Sequence, residues 1–231
     1  MKTNESKGNM YPGVKTWNPL AGECPHKCIY CSTCSLMRYP VIEAKYSGKL
    51  RLDEKAMNKN LGSGNTWFVC AQNDLFAKYT PLKFASDIIH QCHKYPDNRY
   101  YFQTKNPGKF CIWFGYYPAG SILCTTIETN RWYEQMGNAP VTGERAIEMH
   151  RLANPNIWGY EKQVTIEPIM DFDLKEMVEL IEYANPNKVN IGADSKNNHL
   201  PEPSKEKLLA LIDELKKFTL IDQKRNLKRL L

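Results

Sequence analysis

Apolar residues along this chain gather into short runs, separated by longer stretches in which they recur every three or four positions. Residues 65–71 (NTWFVCA), 99–104 (RYYFQT), 121–128 (SILCTTIE), 163–168 (QVTIEP) and 188–193 (KVNIGA) are runs rich in apolar and β-branched residues. Such runs suit strands buried on both faces. A shorter extended segment at 14–17 precedes them. Between the runs the period changes. Residues 82–95 put Phe84, Ile88, Ile89 and Cys92 on one helical face and stop at Pro96. Residues 106–114 predict a weaker helix with Pro107 in its first turn. Residues 142–153 predict a helix with Ile147 opposite His150 and Arg151, and 174–184 another. The last helix, 204–218, carries Leu208, Leu209, Ile212 and Leu215 as its apolar stripe. The polar, glycine-containing stretch 44–64 reads as an excursion between the first two units.

Repeated strand–helix units with continuous apolar strands predict an α/β fold with parallel strands and outer helices. Six units fall short of the eight that close a barrel, so the expectation is a partial (β/α)6 TIM-type barrel. It forms a single domain over residues 1–231, with 203–231 as a helical, basic extension. The 231 residues are 42% hydrophobic and 24% charged, an ordinary globular composition. No apolar run approaches the roughly 20 residues of a membrane span. The polar start lacks the apolar core of a signal peptide, so the expected location is cytoplasmic. The net charge of +6 permits an acidic partner without requiring one. Its excess lies at Lys216, Lys217, Lys224, Arg225, Lys228 and Arg229, a solvated helix face or a phosphate-binding patch.

In a reducing compartment, clustered cysteines read as metal ligands or reactive thiols. Four of the eight cysteines, Cys24, Cys28, Cys31 and Cys34, fall within one short segment, NPLAGECPHKCIYCSTCSLMR. Cys70, Cys92, Cys111 and Cys124 are scattered and read as small buried hydrophobes. Three thiolates at C-x3-C-x2-C (Cys24, Cys28, Cys31) can hold three irons of a cubane 4Fe–4S cluster and leave the fourth without a protein ligand. An amine and a carboxylate, such as the methionyl end of S-adenosylmethionine, can chelate that iron. An electron passed to the sulfonium then yields a 5′-deoxyadenosyl radical.

This segment resembles the signature of the radical S-adenosylmethionine (radical SAM) superfamily, in which an aromatic residue precedes the third cysteine; Tyr30 stands there. The segments NDLF, QTKNP, TTIETNR and IEP after successive strands look like a short, phage-type branch related to spore photoproduct lyase. The resemblance spans most of the chain from residue 14 to the last helix. It implies a partial barrel with its site at the C-terminal strand ends, and Tyr30 near the adenine. Gln72, Asn73 and Asp74 would bind the methionyl amine, although the family's usual Gly-Gly-Glu is absent there. Thr126, Glu128 and Asn130 would bond ribose hydroxyls, and Arg131 would pair with the methionyl carboxylate. Gln103, Lys105, Glu167, Asn190 and Asp194 would ring the mouth as substrate or cofactor contacts. An electron donor such as a flavodoxin or ferredoxin is implied as a partner.

Other readings stand beside this one. Cys24, Cys28, Cys31 and Cys34, with His26 to spare, could close a tetrahedral zinc site in a nucleic-acid-binding module. Against that, structural zinc sites combine ligands from two separated loops. A plain electron-transfer protein would not need so large a core. Cys34, Cys70 and Cys124 are equal candidates for a thiol that gives a hydrogen atom to a product radical, with core packing the simpler role for all three. The basic C-terminal stretch and the aromatics Trp113, Phe114, Tyr116, Tyr117, Trp132 and Tyr133 would suit phosphates and stacked bases, or simply pack. A nucleotide or nucleic acid is the expected substrate, with a peptide or small metabolite as the rival.

Overall fold

The computed structural model describes residues 11, 13–152 and 159–231. Seven strands form one parallel sheet in the order β1 (Lys15–Trp17), β4 (Thr66–Val69), β5 (Arg99–Thr104), β6 (Ile122–Thr126), β7 (Glu161–Ile166), β8 (Lys188–Ile191) and β9 (Leu220–Gln223). Every neighbouring pair is parallel. Helices α4 (Leu82–His93), α5 (Thr142–Arg151), α6 (Leu174–Ala184) and α7 (Lys205–Leu215) make crossovers on the outer face. This is the partial-barrel architecture expected from the pattern, with one strand more than the six units counted.

The extra strand corrects the reading of residues 203–231 as a helical extension. After α7 the chain returns parallel to β8, with Lys188 opposite Leu220 and Lys188 bridging to Asp222 at 3.1 Å. Four residues with only Ile221 packed on the core give too short a hydrophobic signal to read as a strand. The 3-10 turn that follows, Arg225–Arg229, buries Leu227 completely, and Lys224 is buried too. Of the basic residues here, Lys224 is part of the barrel wall, while Lys216, Lys217, Arg225, Lys228 and Arg229 are exposed, the first two at the end of α7.

The excursion at 44–64 is also built in. It contains β3 (Arg51–Leu52), antiparallel to β2 (Leu20–Ala21), followed by α3 (Glu54–Met57). Trp17 Nε1 donates to the Ala56 carbonyl at 2.8 Å. Two short helices, α1 (Ser32–Leu36) and α2 (Pro40–Tyr46), follow the cysteine segment. The weak helix at 106–114 is a 3-10 helix, Pro107–Trp113. The predicted helix at 142–153 is α5, with Ala153 outside the described residues. Its buried stripe is Thr142, Arg145, Ala146 and Met149, while Ile147 is exposed.

The main core lies between the outer sheet face and the helices, where Val69, Phe102, Leu123, Val164, Ile166, Val189 and Ile191 meet Ile88, Met149, Ile181 and Leu211. The inner face is different. Apart from a small cluster of Tyr11, Phe68, Tyr101, Ile122 and Cys124, it is polar: Gln103, Gln163, Thr165 and Asn190 face one another. These groups bond one another, and Asn190 Oδ1 is left without a partner among the described residues. Tyr11 Oη donates to Gln103 Oε1 at 2.6 Å and meets Thr165 Oγ1 at 2.8 Å, and Asn190 Nδ2 donates to Gln163 Oε1 at 3.0 Å. Among the described residues no helix is long and apolar enough to cross a membrane.

If the C-terminal turn is integral, Leu227→Ala should cost about 2–5 kcal/mol by denaturant unfolding. Leu220→Ala, in a residue 71% exposed, should stay within about 0.5 kcal/mol. Equal, small effects would mean that the turn does not belong to the core.

Candidate active site

The C-terminal ends of the strands converge on one cavity of about 260 Å³, where parallel α/β folds gather ligands. Cys70 follows β4, Gln103 and Thr104 end β5 and Lys105 follows them, Thr126 ends β6, Glu167 follows β7, and Asp194 follows β8; all line this cavity. The cysteine segment closes it from the side with Cys24, Cys28, Cys31 and Cys34, together with Tyr30. Asn130, Arg131, Glu128, Asn190 and Cys124 are not in its lining.

The cysteine loop is held by backbone bonds and by close approach. Ile29 N donates to Gln135 O at 3.0 Å and Asn138 N to His26 O at 2.7 Å. Gly137 lets the two segments touch: a Cβ there would sit 2.2 Å from His26 O. Burial pushes the Cys24 thiol up to about 12, and Cys28, whose Sγ donates to Met136 O at 3.2 Å, is raised likewise. Cys31 is lowered to about 5 because the Cys34 thiol hydrogen-bonds it. Three cysteine thiols on a pinned loop, lining one cavity, fit a cluster bound through Cys24, Cys28 and Cys31. Among the described residues no three His, Cys, Asp or Glu side chains are grouped to hold a single metal ion.

Two buried carboxylates fasten this loop to the sheet. Asp74 accepts from His26 Nε2 (2.8 Å), Thr104 Oγ1 (2.7 Å), Lys105 N (2.8 Å) and Phe76 N (2.9 Å). These donors hold its carboxyl below the usual range despite its burial. Its neighbours act on the loop as well: Thr33 Oγ1 donates to Gln72 O at 2.8 Å, and Asn73 Nδ2 donates to Gly22 O at 2.8 Å.

Glu128 lies fully buried behind the cavity wall. Its Oε1 accepts from Tyr30 Oη at 2.5 Å and from Lys105 Nζ, and Arg145 Nη1 reaches its Oε2 at 2.8 Å. Lys105 Nζ also donates to Tyr30 Oη at 2.9 Å. Burial would raise the Glu128 carboxyl, but Arg145 and Lys105 together hold it far below its ordinary value. Arg145 was not singled out in the sequence. It is the only charged residue in the buried stripe of α5, which is the signal that could have found it.

No family model and no curated protein sequence matches the chain. Solved structures do. Two variants of spore photoproduct lyase superpose with TM-scores of 0.61 and 0.62, at 12% and 11% identity, over 95% and 97% of this chain and 78% and 80% of theirs. The fold is that of spore photoproduct lyase. A further lyase variant, solved with AdoMet and dinucleoside spore photoproduct bound, matches at 0.55 and 13% identity over 95% of this chain and 65% of its own. The likeness of fold covers nearly the whole chain.

Several expected ligand contacts are engaged within the protein. Arg131, assigned to a methionyl carboxylate, is clasped by Asp171 and by both oxygens of Asp173, and Asn130 bonds Asp173 as well. Both Glu128 oxygens accept from protein donors, an internal role that stands beside the expected contact with a ribose hydroxyl. Asn190 sits below the cavity against Gln163 and Tyr101. Asp194 turns its oxygens to Lys196 N, Asn198 N and Asn198 Nδ2.

Glu128 sets a pH signature. A depressed folded pKa adds stability that is fully present above the unfolded value, about 4.3, and is lost as pH falls toward the folded one. Glu128→Gln should therefore cost about 3–5 kcal/mol at pH 7. The gap to wild type should narrow steadily below about pH 4.3 in urea titrations. A gap that does not change with pH would mean that Glu128 is neutral in the fold.

Proposed function

We propose that the chain is a radical SAM enzyme acting on a nucleotide or nucleic acid. The observation that carries this reading is the placement of Cys24, Cys28 and Cys31 around one cavity with Tyr30, Lys105 and the strand ends. A 4Fe–4S cluster bound there through three thiolates supplies one open iron for S-adenosylmethionine and the electron that releases a 5′-deoxyadenosyl radical. The protein binds, orients and shields. Tyr30 offers its ring to an adenine while Glu128 and Lys105 fix its hydroxyl. Gln72 offers an amide and Thr126 a hydroxyl for polar ligand groups, while the Asn73 and Gln103 amides hold the wall in place.

Lys105 is the cation best placed for the methionyl carboxylate, since Arg131 is engaged by two aspartates. Arg145 makes this possible: it keeps Glu128 paired, so Lys105 can turn to a ligand without stranding a buried charge. Of the three thiols considered as hydrogen donors, Cys70 fits best. It is buried yet lines the cavity, whereas Cys34 is tied to Cys31 and Cys124 faces Tyr11 and Thr165 below. The nucleotide substrate rests on the fold shared with a lyase solved with a dinucleoside photoproduct. A reductant such as a flavodoxin or ferredoxin completes the scheme.

Anaerobic reconstitution should give a brown protein with about four irons per chain. With S-adenosylmethionine and dithionite it should form 5′-deoxyadenosine, detected by mass spectrometry. Cys24→Ala, Cys28→Ala and Cys31→Ala should each lose iron and product together, while Cys34→Ala keeps its iron. A colourless protein that holds zinc and forms no 5′-deoxyadenosine would overturn the proposal in favour of a zinc-stabilised binding module.

Lys105→Met should raise the S-adenosylmethionine concentration needed for half-maximal 5′-deoxyadenosine formation by about tenfold or more. Arg131→Met should leave it within about twofold, as expected for a residue outside the cavity. The reverse order would return the carboxylate contact to Arg131.

A further inference from the structure

Four acids line the cavity, and they differ in how much of their hydrogen-bonding capacity is filled. Glu23 is paired with Lys27 at the surface. Asp74 and Asp194 have both oxygens occupied by protein donors. Glu167 does not. Its Oε1 accepts one bond, from Asn226 Nδ2 at 2.9 Å, and its Oε2 is buried with no partner among the described residues. A carboxylate offers about four acceptor sites, and leaving a buried one empty is costly.

The surroundings are shaped to keep this carboxyl where it is. Gly192, opposite on the end of β8, has no side chain: a Cβ there would lie 2.5 Å from the Glu167 Cδ and 2.7 Å from its Oε1. Asn226 anchors the same carboxyl from the C-terminal turn and is itself fixed by a 2.7 Å bond to Ala193 O. A carboxyl group is thus positioned by three elements, β7, β8 and the turn after β9, and lines the cavity with unfilled capacity.

We infer that Glu167 is a specificity-determining residue whose carboxylate accepts a hydrogen bond from an N–H on the pairing edge of a nucleobase in the cavity. This deepens the nucleotide reading and rests on it. The cavity offers a base further polar contacts, an amide at Gln72 and a cation at Lys105, and Glu167 is its buried carboxylate with an unfilled oxygen among the described residues. A base with a ring N–H or an exocyclic amine would fill the vacant acceptor; one alkylated at that nitrogen would leave it empty and add a clash.

The test is binding to the full chain, as purified and after reconstitution, by calorimetry at fixed salt. The probes are the thymidine dinucleotide and its N3-methyl analogue, then the cytidine dinucleotide and its N4,N4-dimethyl analogue. Methylation should weaken wild-type binding by about tenfold or more for the base whose donor is read, which tells ring N–H from exocyclic amine. In Glu167→Ala the same methylation should matter by less than about threefold, an interaction that a purely structural role would not produce. Equal binding of parent and methylated probes to wild type, an undiminished penalty in the variant, or no dinucleotide binding at all would each overturn the inference. Formation of 5′-deoxyadenosine by the wild type without nucleotide reports separately on the radical chemistry, so the two readings can fail independently.

Discussion

A carboxylate with no access to water, Glu128, ties together the parts of this molecule that must not drift. Taking its charge out of solvent is affordable only beside compensating charge and full hydrogen bonding. Arg145 from α5, Lys105 from the end of β5 and Tyr30 from the cysteine loop provide both. Each partner comes from a different stretch of chain, so the network exists only once strands, helix and loop are assembled. Removing Glu128 would leave Arg145 with an uncompensated buried charge. The orientation of Tyr30 at the cavity wall is thus a consequence of the fold's electrostatics as much as of its packing.

Asp74 does similar work at the opposite corner. Its carboxyl joins His26, between Cys24 and Cys28, to Thr104 and the Lys105 backbone at the end of β5. The cysteine loop is therefore fixed at two points, by Asp74 through His26 and by Glu128 through Tyr30. Gly137 allows a third segment to press against its backbone. The proposed binding of one cluster by three thiols of this loop would gain from this rigidity, because ligand geometry held by outer partners is not lost to thermal motion.

The strands and the cysteine loop were legible because their signals are local. A continuous apolar run such as residues 65–71, or three cysteines at fixed spacing, needs no knowledge of the rest of the chain. What was illegible depends on partners far along the sequence. Nothing near Arg131 announces that Asp171 and Asp173 will take its guanidinium, and nothing near Glu128 announces Arg145 before α5 is folded against β6. Strand β9 escaped notice because an edge strand of four residues with one packed side chain carries almost no hydrophobic period. Arg145 was the exception, readable in principle as a charge where the helix period calls for an apolar residue. The choice among Asp74, Glu167 and Asp194 lay beyond sequence, since all three follow strands and only their partners distinguish them.

The balance of charge around the cavity ties these features to the chemistry proposed for it. Lys105 and Arg145 share one carboxylate, so the wall behind Tyr30 carries one positive charge in excess. Lys105 is the member of the pair that lines the cavity, its side chain 16% exposed. Both cations lower the Cys28 thiol's affinity for its proton, against burial and Glu128, which raise it. A surplus cation in a poorly hydrated wall favours whatever negative charge enters the space before it, a thiolate on the loop or a carboxylate on a ligand. Arg145 cannot answer that charge directly, being enclosed by Pro140, Thr126 and Glu128. It acts by holding Glu128, which leaves Lys105 the freedom to respond. The buried pair and the cavity-facing lysine are thus one device: the first absorbs the cost of a buried carboxylate, and the second carries the resulting positive field to the ligand.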